Sequence, residues 1–293
     1  MKVSIGIPFF NPGEVFKETI KSVLQQSFQD FELILLNDGS SDDSLAIAES
    51  FNDKRIRVIN DGRNLGLPAR LNQLITLSSG EYLARMDADD LICPTRIEQQ
   101  VNYLDKHQSA NIVSTGLCSM TDDGKVIGYR LPPVSRATNI DAIAAIFGRS
   151  HIAHATIMAR KTWYLRNSYN ESAKLMEDYQ LWIDAALNND LNVGFLPQPL
   201  YYYREQSSVS SAKAITAYKN QYSLARQQYF QHLTMLQKVK FTALMGLKIA
   251  TVYLLNISAN ATWLLKLRNK NTQQSNESLA ALQHKLDQLR GVN

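Results

Sequence analysis

The 293-residue chain is poor in cysteine and lacks the glycine-rich loops of the commonest nucleotide folds. Its two cysteines, Cys93 and Cys118, form no C-x-x-C and no metal-ligand spacing, which argues against a disulfide framework and predicts a reduced, cytosolic protein. No G-x-G-x-x-G follows the first apolar segment, and no G-x-x-x-x-G-K-[ST] occurs anywhere, so neither a dinucleotide fold nor a P-loop is indicated. No apolar run is long enough to span a membrane. The opening Met-Lys-Val-Ser-Ile-Gly-Ile has no basic region leading into a long apolar one, so no signal peptide is expected. Acidic residues are scarce at one end only. Residues 213–293 hold 11 Lys/Arg and 2 acids, a charge of +9, whereas residues 1–212 hold 20 and 25, a charge of −5. A basic tail on an acidic body points to an anionic partner, and the few aromatics among its Lys and Arg disfavour nucleic acid.

The body alternates strand-like and helix-like segments. Val3–Phe9 reads as a buried strand, followed by an Asn11-Pro12-Gly13 turn and a helix over residues 14–26. A central strand at 31–36 ends in Asn37-Asp38-Gly39-Ser40-Ser41-Asp42, where Ser40 or Ser41 can cap a helix over 42–52. A strand at 56–59, a helix at 66–77 and a strand at 82–84 follow. Short connections between alternating elements predict an α/β fold with a doubly wound, mostly parallel sheet. A helix over 94–107, a strand over 111–120 and a hairpin into 126–129 add an antiparallel patch. Next come a predicted helix at 136–147, a strand at 151–158, a helix at 176–187, and short strands at 193–196 and 200–203.

The expected organisation is a catalytic domain over 1–211 and a basic helical extension over 212–293. Within the extension, residues 239–268 place Ala243, Leu247, Ala250, Leu254, Ile257, Ala261, Leu264 and Leu265 on one helical face, with Lys240, Lys248 and Lys266 opposite. That pattern fits a helix lying on a membrane surface, or one packed on the catalytic domain. Asn256 and Asn260 argue against a full span. A polar linker at 269–276 and a short amphipathic helix with Leu279, Leu282, Leu286 and Leu289 complete the chain.

Three carboxylates, Asp87, Asp89 and Asp90, stand where the fourth strand ends. Ligands of open α/β sheets bind at carboxyl ends of strands, and like charges this close favour a bound cation. Alone, the motif reads equally well as a solvated turn that caps the next helix. Asp38 ends a neighbouring strand; it is either a turn aspartate bonding its own backbone or a carboxylate that accepts from a base. Taken together, these residues outline a crevice in which a cation at Asp89 bridges a diphosphate and Asp38 fixes the base. Glu177 and Asp178 open a helix, where acids suit the dipole; beside a sugar diphosphate, one of them could serve as general base toward an acceptor hydroxyl. Trp182 is core material or a sugar-stacking ring, and Arg204 a surface residue or a phosphate contact. His151 and His154 read as packed or surface histidines, and Asp90 as mainly structural.

In order along the chain, several stretches resemble the motifs of family 2 glycosyltransferases. They are Ile7-Pro8-Phe9-Phe10-Asn11, Ser22-Val23-Leu24-Gln25-Gln26-Ser27-Phe28, Asp30-Phe31-Glu32-Leu33 leading to Asn37-Asp38-Gly39-Ser40-Ser41-Asp42, Asn64-Leu65-Gly66-Leu67, Arg85-Met86-Asp87-Ala88-Asp89-Asp90, and Glu177-Asp178-Tyr179-Gln180-Leu181-Trp182. The match covers about residues 1–210 and is closest to members that build bacterial surface polysaccharides such as exopolysaccharide, capsule or O-antigen. The resemblance implies a GT-A fold with a nucleotide-sugar part over about 1–110 and an acceptor part over 111–211. It also implies a nucleotide-diphospho-sugar donor (a UDP- or dTDP-sugar favoured), Mg²⁺ or Mn²⁺, and inversion at the anomeric carbon. By position it puts Asp38 against the pyrimidine, Pro8 and Asn11 in the loop beside the nucleoside, and Arg70 near the nucleotide. Asp87 falls near ribose and metal, Asp89 is the metal ligand, and Asp178 is the base. One position departs from the pattern. Many members carry histidine two residues after the arginine that matches Arg204; here it is Gln206, which can donate a hydrogen bond but offers no imidazole.

The expected protein is thus a hexosyltransferase acting on a lipid-linked glycan, peripheral on the cytoplasmic face of the inner membrane through residues 239–268, with no nucleic-acid partner. Its rivals are a nucleotidyltransferase and a non-catalytic nucleotide-sugar-binding protein.

Overall fold

The computed structural model of the chain describes residues 1–133, 138–173, 175–205, 210–258, 269 and 279–291. Gln206, the 259–268 end of the expected amphipathic helix, and most of the expected linker lie outside the described residues.

Strands β1 (Val3–Phe9), β2 (Phe31–Asn37), β3 (Ile56–Asn60) and β4 (Tyr82–Arg85) pair in parallel in the order β3-β2-β1-β4. Both β1 and β2 are buried along their whole length, as strands covered on two faces must be. Helices α1 (Val15–Leu24), α2 (Ser44–Glu49) and α3 (Leu67–Leu77) carry the chain back between them. After the short β5 (Leu91–Ile92) and α4 (Arg96–Lys106), the strand β6 (Ile112–Met120) forms a hairpin with β7 (Val126–Arg130). Beyond β8 (Thr138–Asn139) and α5 (Ala142–Ile146), β9 (Met158–Arg160) slots between β4 and β6, antiparallel to both. Finally α6 (Lys161–Arg166) and α7 (Glu177–Leu187) lead into β10 (Asn192–Arg204), which runs parallel to β6 and pairs with β5 and β8. The expected parallel sheet with an antiparallel patch is therefore present as one continuous sheet.

Four local expectations are corrected. The two short strands at 193–196 and 200–203 are one strand, because the register shifts around Pro199 let Pro197 and Pro199 sit at an irregularity instead of ending the ladder. The helix expected from 136 starts at Ala142, since the Asp141 carboxylate accepts from the Ala144 N–H at 2.8 Å and caps it there. Residues 151–158 are not a strand. The Thr156 hydroxyl bonds back to the Ala153 carbonyl at 2.9 Å and winds His154–Thr156 into a 3-10 turn. Pro8 lies within β1 and is buried, rather than in the following loop. Even-numbered residues of β1 face β4, as the Met86 N–H to Gly6 carbonyl bond shows, and β4 has ended before Pro8; its missing N–H costs the sheet nothing.

The C-terminal helices fold back on this body. From α8 (Ser211–Leu224) the chain passes to α9 (Met235–Ser258), which buries Phe241, Met245 and Val252. The Phe241 ring lies edge-on to Phe147 at 5.4 Å. Separately, α10 (Leu279–Arg290) buries Leu282, Leu286 and Leu289 in a cluster with Met120, Val126 and Tyr202.

Glu32 pins the centre of the sheet. It is 4 % exposed and accepts from Ser4 Oγ at 2.7 Å, Ser79 N at 2.7 Å and Arg57 Nη1 at 2.6 Å. Burial opposes its charge, but the Ser79, Ser4 and Arg57 donors prevail and pull its pKa down to about 2. A depressed carboxylate pKa stabilises the fold above the unfolded value and loses that contribution as pH falls. Glu32→Gln should therefore cost on the order of 2 kcal/mol at pH 7, and the gap to wild type should close between about pH 4 and pH 2 in urea unfolding. A gap independent of pH would contradict this.

Candidate active site

Strands β1, β2 and β4 end side by side, and the loops that follow them are tied to one another. Asn11, held at a φ of 50°, accepts from the Ser41 N–H at 2.8 Å, while its own N–H donates to Ser40 Oγ at 3.1 Å. Asp38 follows β2. Its carboxylate accepts from Leu65 N at 2.7 Å, Gly66 N at 3.1 Å and Arg70 Nε at 2.8 Å. Gly66 adopts a φ of 85°, a left-handed backbone that glycine takes without strain. Arg70 is fully buried, and its five N–H donors go to Asp38, Asp61, Gln73 and the Arg63 carbonyl. It therefore has no donor left for a nucleotide and stands behind Asp38 as its support. That is a correction to the expected contact, and its cause is the paired acids at 38 and 61.

The acidic loop after β4 divides its carboxylates three ways. Asp87 forms a two-pronged pair with Arg85, with Nη1 at 2.8 Å. Asp90 has no solvent exposure and ties the loop to β10, accepting from the Arg204 N–H and the Tyr201 hydroxyl, each at 2.7 Å. Asp89 is exposed, and among the described residues its carboxylate has no side-chain partner. The walls of the recess and the charge of Asp87 raise its pKa, the signature of a negative charge that lacks compensation.

An open cavity of ≈ 530 Å³ lies against this loop. Asp87, Asp89, Glu177, Asp178 and Arg204 all line it, so residues about ninety positions apart face one cavity. Pro8, Asn11, Asp38, Arg70 and Trp182 are not part of its wall. Asp178 accepts from the Tyr179 N–H at 2.7 Å at the start of α7. Burial raises its pKa despite that bond, and burial also raises Glu177. The Arg204 guanidinium is turned onto the protein: Nε donates to the Asp89 carbonyl at 2.7 Å and Nη2 to Glu18 at 3.1 Å. Its place is beneath the acidic loop at the cavity wall, buried, which corrects the alternative reading of Arg204 as a surface residue. Trp182 is 4 % exposed and stacks with Trp163 at 6.1 Å, as core.

Two further residues belong to the wall. His154 lines the cavity with Nε2 2.8 Å from the Tyr169 hydroxyl and its ring edge-on to Trp182. Burial, with a smaller push from Arg85, lowers its pKa well below the usual imidazole value and so favours the neutral ring. Arg130 on β7 pairs with buried Glu205 at 2.8 Å and joins Arg85 and Arg204 as a third cation on the wall. Arg130 has no sequence signal, and the reading of His154 as a packed histidine holds without showing that it faces the cavity, because each reaches it only through the tertiary path of the chain.

The model of the family described as Glycosyl transferase family 2 matches residues 4–165. Over 225 residues the chain is 34% identical to EpsE of Bacillus subtilis (strain 168), a glycosyltransferase by name, covering 73% of this chain and 77% of that one. The chain belongs to glycosyltransferase family 2. Its fold is GT-A: it superposes on S. aureus TarS 1-349 in complex with UDP-GlcNAc with a TM-score of 0.61 at 20% identity, covering 85% of this chain and 72% of that one. The share of the longer TarS chain that is matched is 43%. The mannosyltransferase PcManGT from Pyrobaculum calidifontis, in complex with GDP-Man and Mn²⁺, superposes with a TM-score of 0.61 at 12% identity over 98% of this chain and 84% of its own.

Arg70→Ala leaves two acids without their buried partner and should cost about 3 kcal/mol in urea unfolding. Arg70→Lys should recover only part of it, because an ammonium lacks the guanidinium fork. A loss below about 1 kcal/mol would show that Asp38 does not depend on Arg70.

Proposed function

We propose that the protein transfers a hexosyl group, with inversion, from a nucleotide-diphospho-sugar to an acceptor hydroxyl, and that the acceptor is a lipid-linked glycan of a bacterial surface polysaccharide. The observation that carries this reading is the meeting of an uncompensated Asp89 and a raised-pKa Asp178 on one cavity wall. A site of this kind can hold a diphosphate at one end and take a proton at the other. The donor class is supported by the UDP-GlcNAc and GDP-Man in the TarS and PcManGT complexes; the preference for a UDP- or dTDP-sugar rests on the motif resemblance. In this reading residues 1–110 hold the donor and residues 111–211 the acceptor, with Asp38 and Asn11 framing the nucleoside.

Asp178 takes the proton of the acceptor hydroxyl. The oxygen attacks C1 of the sugar from the face opposite the nucleotide, a new C1–O bond forms, and the C1–O bond to the β-phosphate breaks. The electron pair leaves with the nucleoside diphosphate. Among the described residues no three His, Cys, Asp or Glu side chains stand together as a metal cage. The open Asp89 nevertheless fits a hard cation, since Mg²⁺ is commonly held by one or two carboxylates plus substrate phosphates. Bound there, Mg²⁺ or Mn²⁺ would neutralise charge growing on the leaving diphosphate. Neutral His154 can exchange hydrogen bonds with a sugar without adding charge.

The place of work is proposed as the cytoplasmic face of the inner membrane. Among the described residues no helix is long and apolar enough to cross a membrane. On α9, however, Leu236, Val239, Leu247 and Leu254 are 55–68 % exposed, and Ala243 and Ala250 lie between them on the same outward face. The helix docks on the body by its opposite side. An exposed apolar stripe beside Lys240 and Arg149, which line a cavity of ≈ 350 Å³, suits an anionic lipid surface better than water.

Asp178→Asn should lower turnover by ~10²–10⁴-fold with donor affinity changed only a few-fold; more than a tenth of the wild-type rate would remove Asp178 as base. Because the base must be ionised and burial raises its pKa, the acid limb of kcat/KM should begin above the ordinary aspartate value of about 4. Leu247→Asp/Leu254→Asp should abolish co-sedimentation with phosphatidylglycerol vesicles while leaving turnover of a soluble acceptor intact. Undiminished sedimentation would exclude this face. Release of pyrophosphate instead of a nucleoside diphosphate would favour a nucleotidyltransferase.

A further inference from the structure

The C-terminal helix reaches the underside of the acidic loop. Arg290, the last residue of α10, makes a forked contact with Glu18 on α1: Nε lies 3.1 and 3.2 Å from the two carboxylate oxygens, and Nη2 lies 3.0 Å from Oε1. From its other side the same carboxylate accepts from Nη2 of Arg204. The two arginines also take consecutive carbonyls of the β6–β7 turn. Arg204 Nη1 binds that of Asp122, and Arg290 Nη1 binds that of Asp123 at 2.7 Å. Arg204 in turn holds the Asp89 carbonyl by its Nε and the Asp90 carboxylate by its main-chain N–H. An unbroken series of contacts thus runs from α10 through Glu18 and Arg204 to the loop that presents Asp89.

Covering apolar surface does not account for this series. Leu282, Leu286 and Leu289 already seat α10 on the hairpin, and Gln283 adds bonds to Val126 N at 2.7 Å and to the Gly124 carbonyl at 3.1 Å. Arg290 points elsewhere, across to α1, at the carboxylate that the cavity arginine uses. Gly124 makes room for it: a Cβ there would collide with the Arg290 guanidinium. Glu18 keeps 30 % of its side chain exposed and would be free to change rotamer; a forked guanidinium fixes both oxygens, and so fixes the one that faces Arg204.

We infer that α10 is part of the catalytic unit, and that Arg290 is a positioning residue acting through Glu18 and Arg204 to hold Asp89 in place for the donor diphosphate and its cation. The ligand in this statement rests on the proposed function; the coupling does not. The test uses the full-length chain with Arg290→Ala, Arg290→Lys and Glu18→Ala. Hydrogen exchange is followed in residues 86–92 and 121–126, together with the thermal midpoint, kcat and the Mn²⁺ concentration for half-activation. Arg290→Ala and Glu18→Ala should speed exchange in both segments. They should also lower kcat about tenfold and raise the Mn²⁺ requirement by a similar factor, the usual effect of losing an outer support of a metal site. The midpoint should move by no more than about 2 °C, and Arg290→Lys should fall between. Exchange in 86–92 that matches wild type would overturn the inference. So would a lowered midpoint with kcat of the folded protein unchanged, since that is what a purely structural helix would give. If wild type transfers no sugar from any donor, the proposed function fails, and exchange in 86–92 still decides whether α10 governs the loop.

Discussion

The site depends on the buried carboxylate of Asp90. A carboxylate without solvent is costly, and here burial and the charges of Asp87 and Asp89 push its pKa well above the ordinary value. Two donors offset that cost, the Arg204 N–H and the Tyr201 hydroxyl, and both belong to β10. The consequence is geometric. The loop after β4 is fastened to a strand on the far side of the sheet, so Asp87 and Asp89 are directed into the cavity and not out to solvent. Tyr201 strengthens the same joint by accepting from the Asp87 N–H at 3.1 Å. Sheet order, acidic loop and cavity are thus consequences of one another.

The electrostatics of the cavity follow from this arrangement. Four carboxylates face it, Asp87, Asp89, Glu177 and Asp178, and among the described residues Asp87 is the one of these with a close cationic partner, Arg85. The remaining cations on the wall, Arg130 and Arg204, are committed to Glu205 and Glu18. A cavity that keeps its arginines occupied and one aspartate open is better suited to a diphosphate that arrives with a cation than to a bare anion. The raised pKa of Asp178 serves the proposed chemistry as well, since a base with reduced hydration and a higher proton affinity accepts a hydroxyl proton more readily.

Much of this was legible in the sequence, for physical reasons that differ by element. The apolar runs of β1 and β2 announce strands buried on both faces, while Asp38 and Asp89, ordinary turn acids when taken singly, gain meaning from standing together at strand ends of one sheet. Other features depend on partners distant in sequence. Arg70 looks like any helical arginine until Asp38 and Asp61 are seen on either side of it. Pro8 belongs to the strand read over Val3–Phe9 and not to the loop that the resemblance implies, and its missing N–H is tolerated because β4 stops short of it. His154 could not be placed without the 3-10 turn that Thr156 imposes. In α9 the periodicity marks the apolar stripe but leaves open whether a membrane or the catalytic domain covers it; the helix docks through Phe241 and Met245, and Leu247 and Leu254 are left outward. Periodicity gives a helix its faces without saying which one the body takes.

The central claim is that the cavity transfers a sugar with inversion from a nucleotide-diphospho-sugar. The most direct measurement is to incubate the full-length chain with Mn²⁺, a lipid-linked glycan acceptor and a panel of nucleotide sugars, and then to identify the released nucleotide and determine by NMR the configuration of the new anomeric bond. The account predicts a nucleoside diphosphate and a glycosidic bond of configuration opposite to that in the donor. Retention of configuration, or release of pyrophosphate, would contradict it.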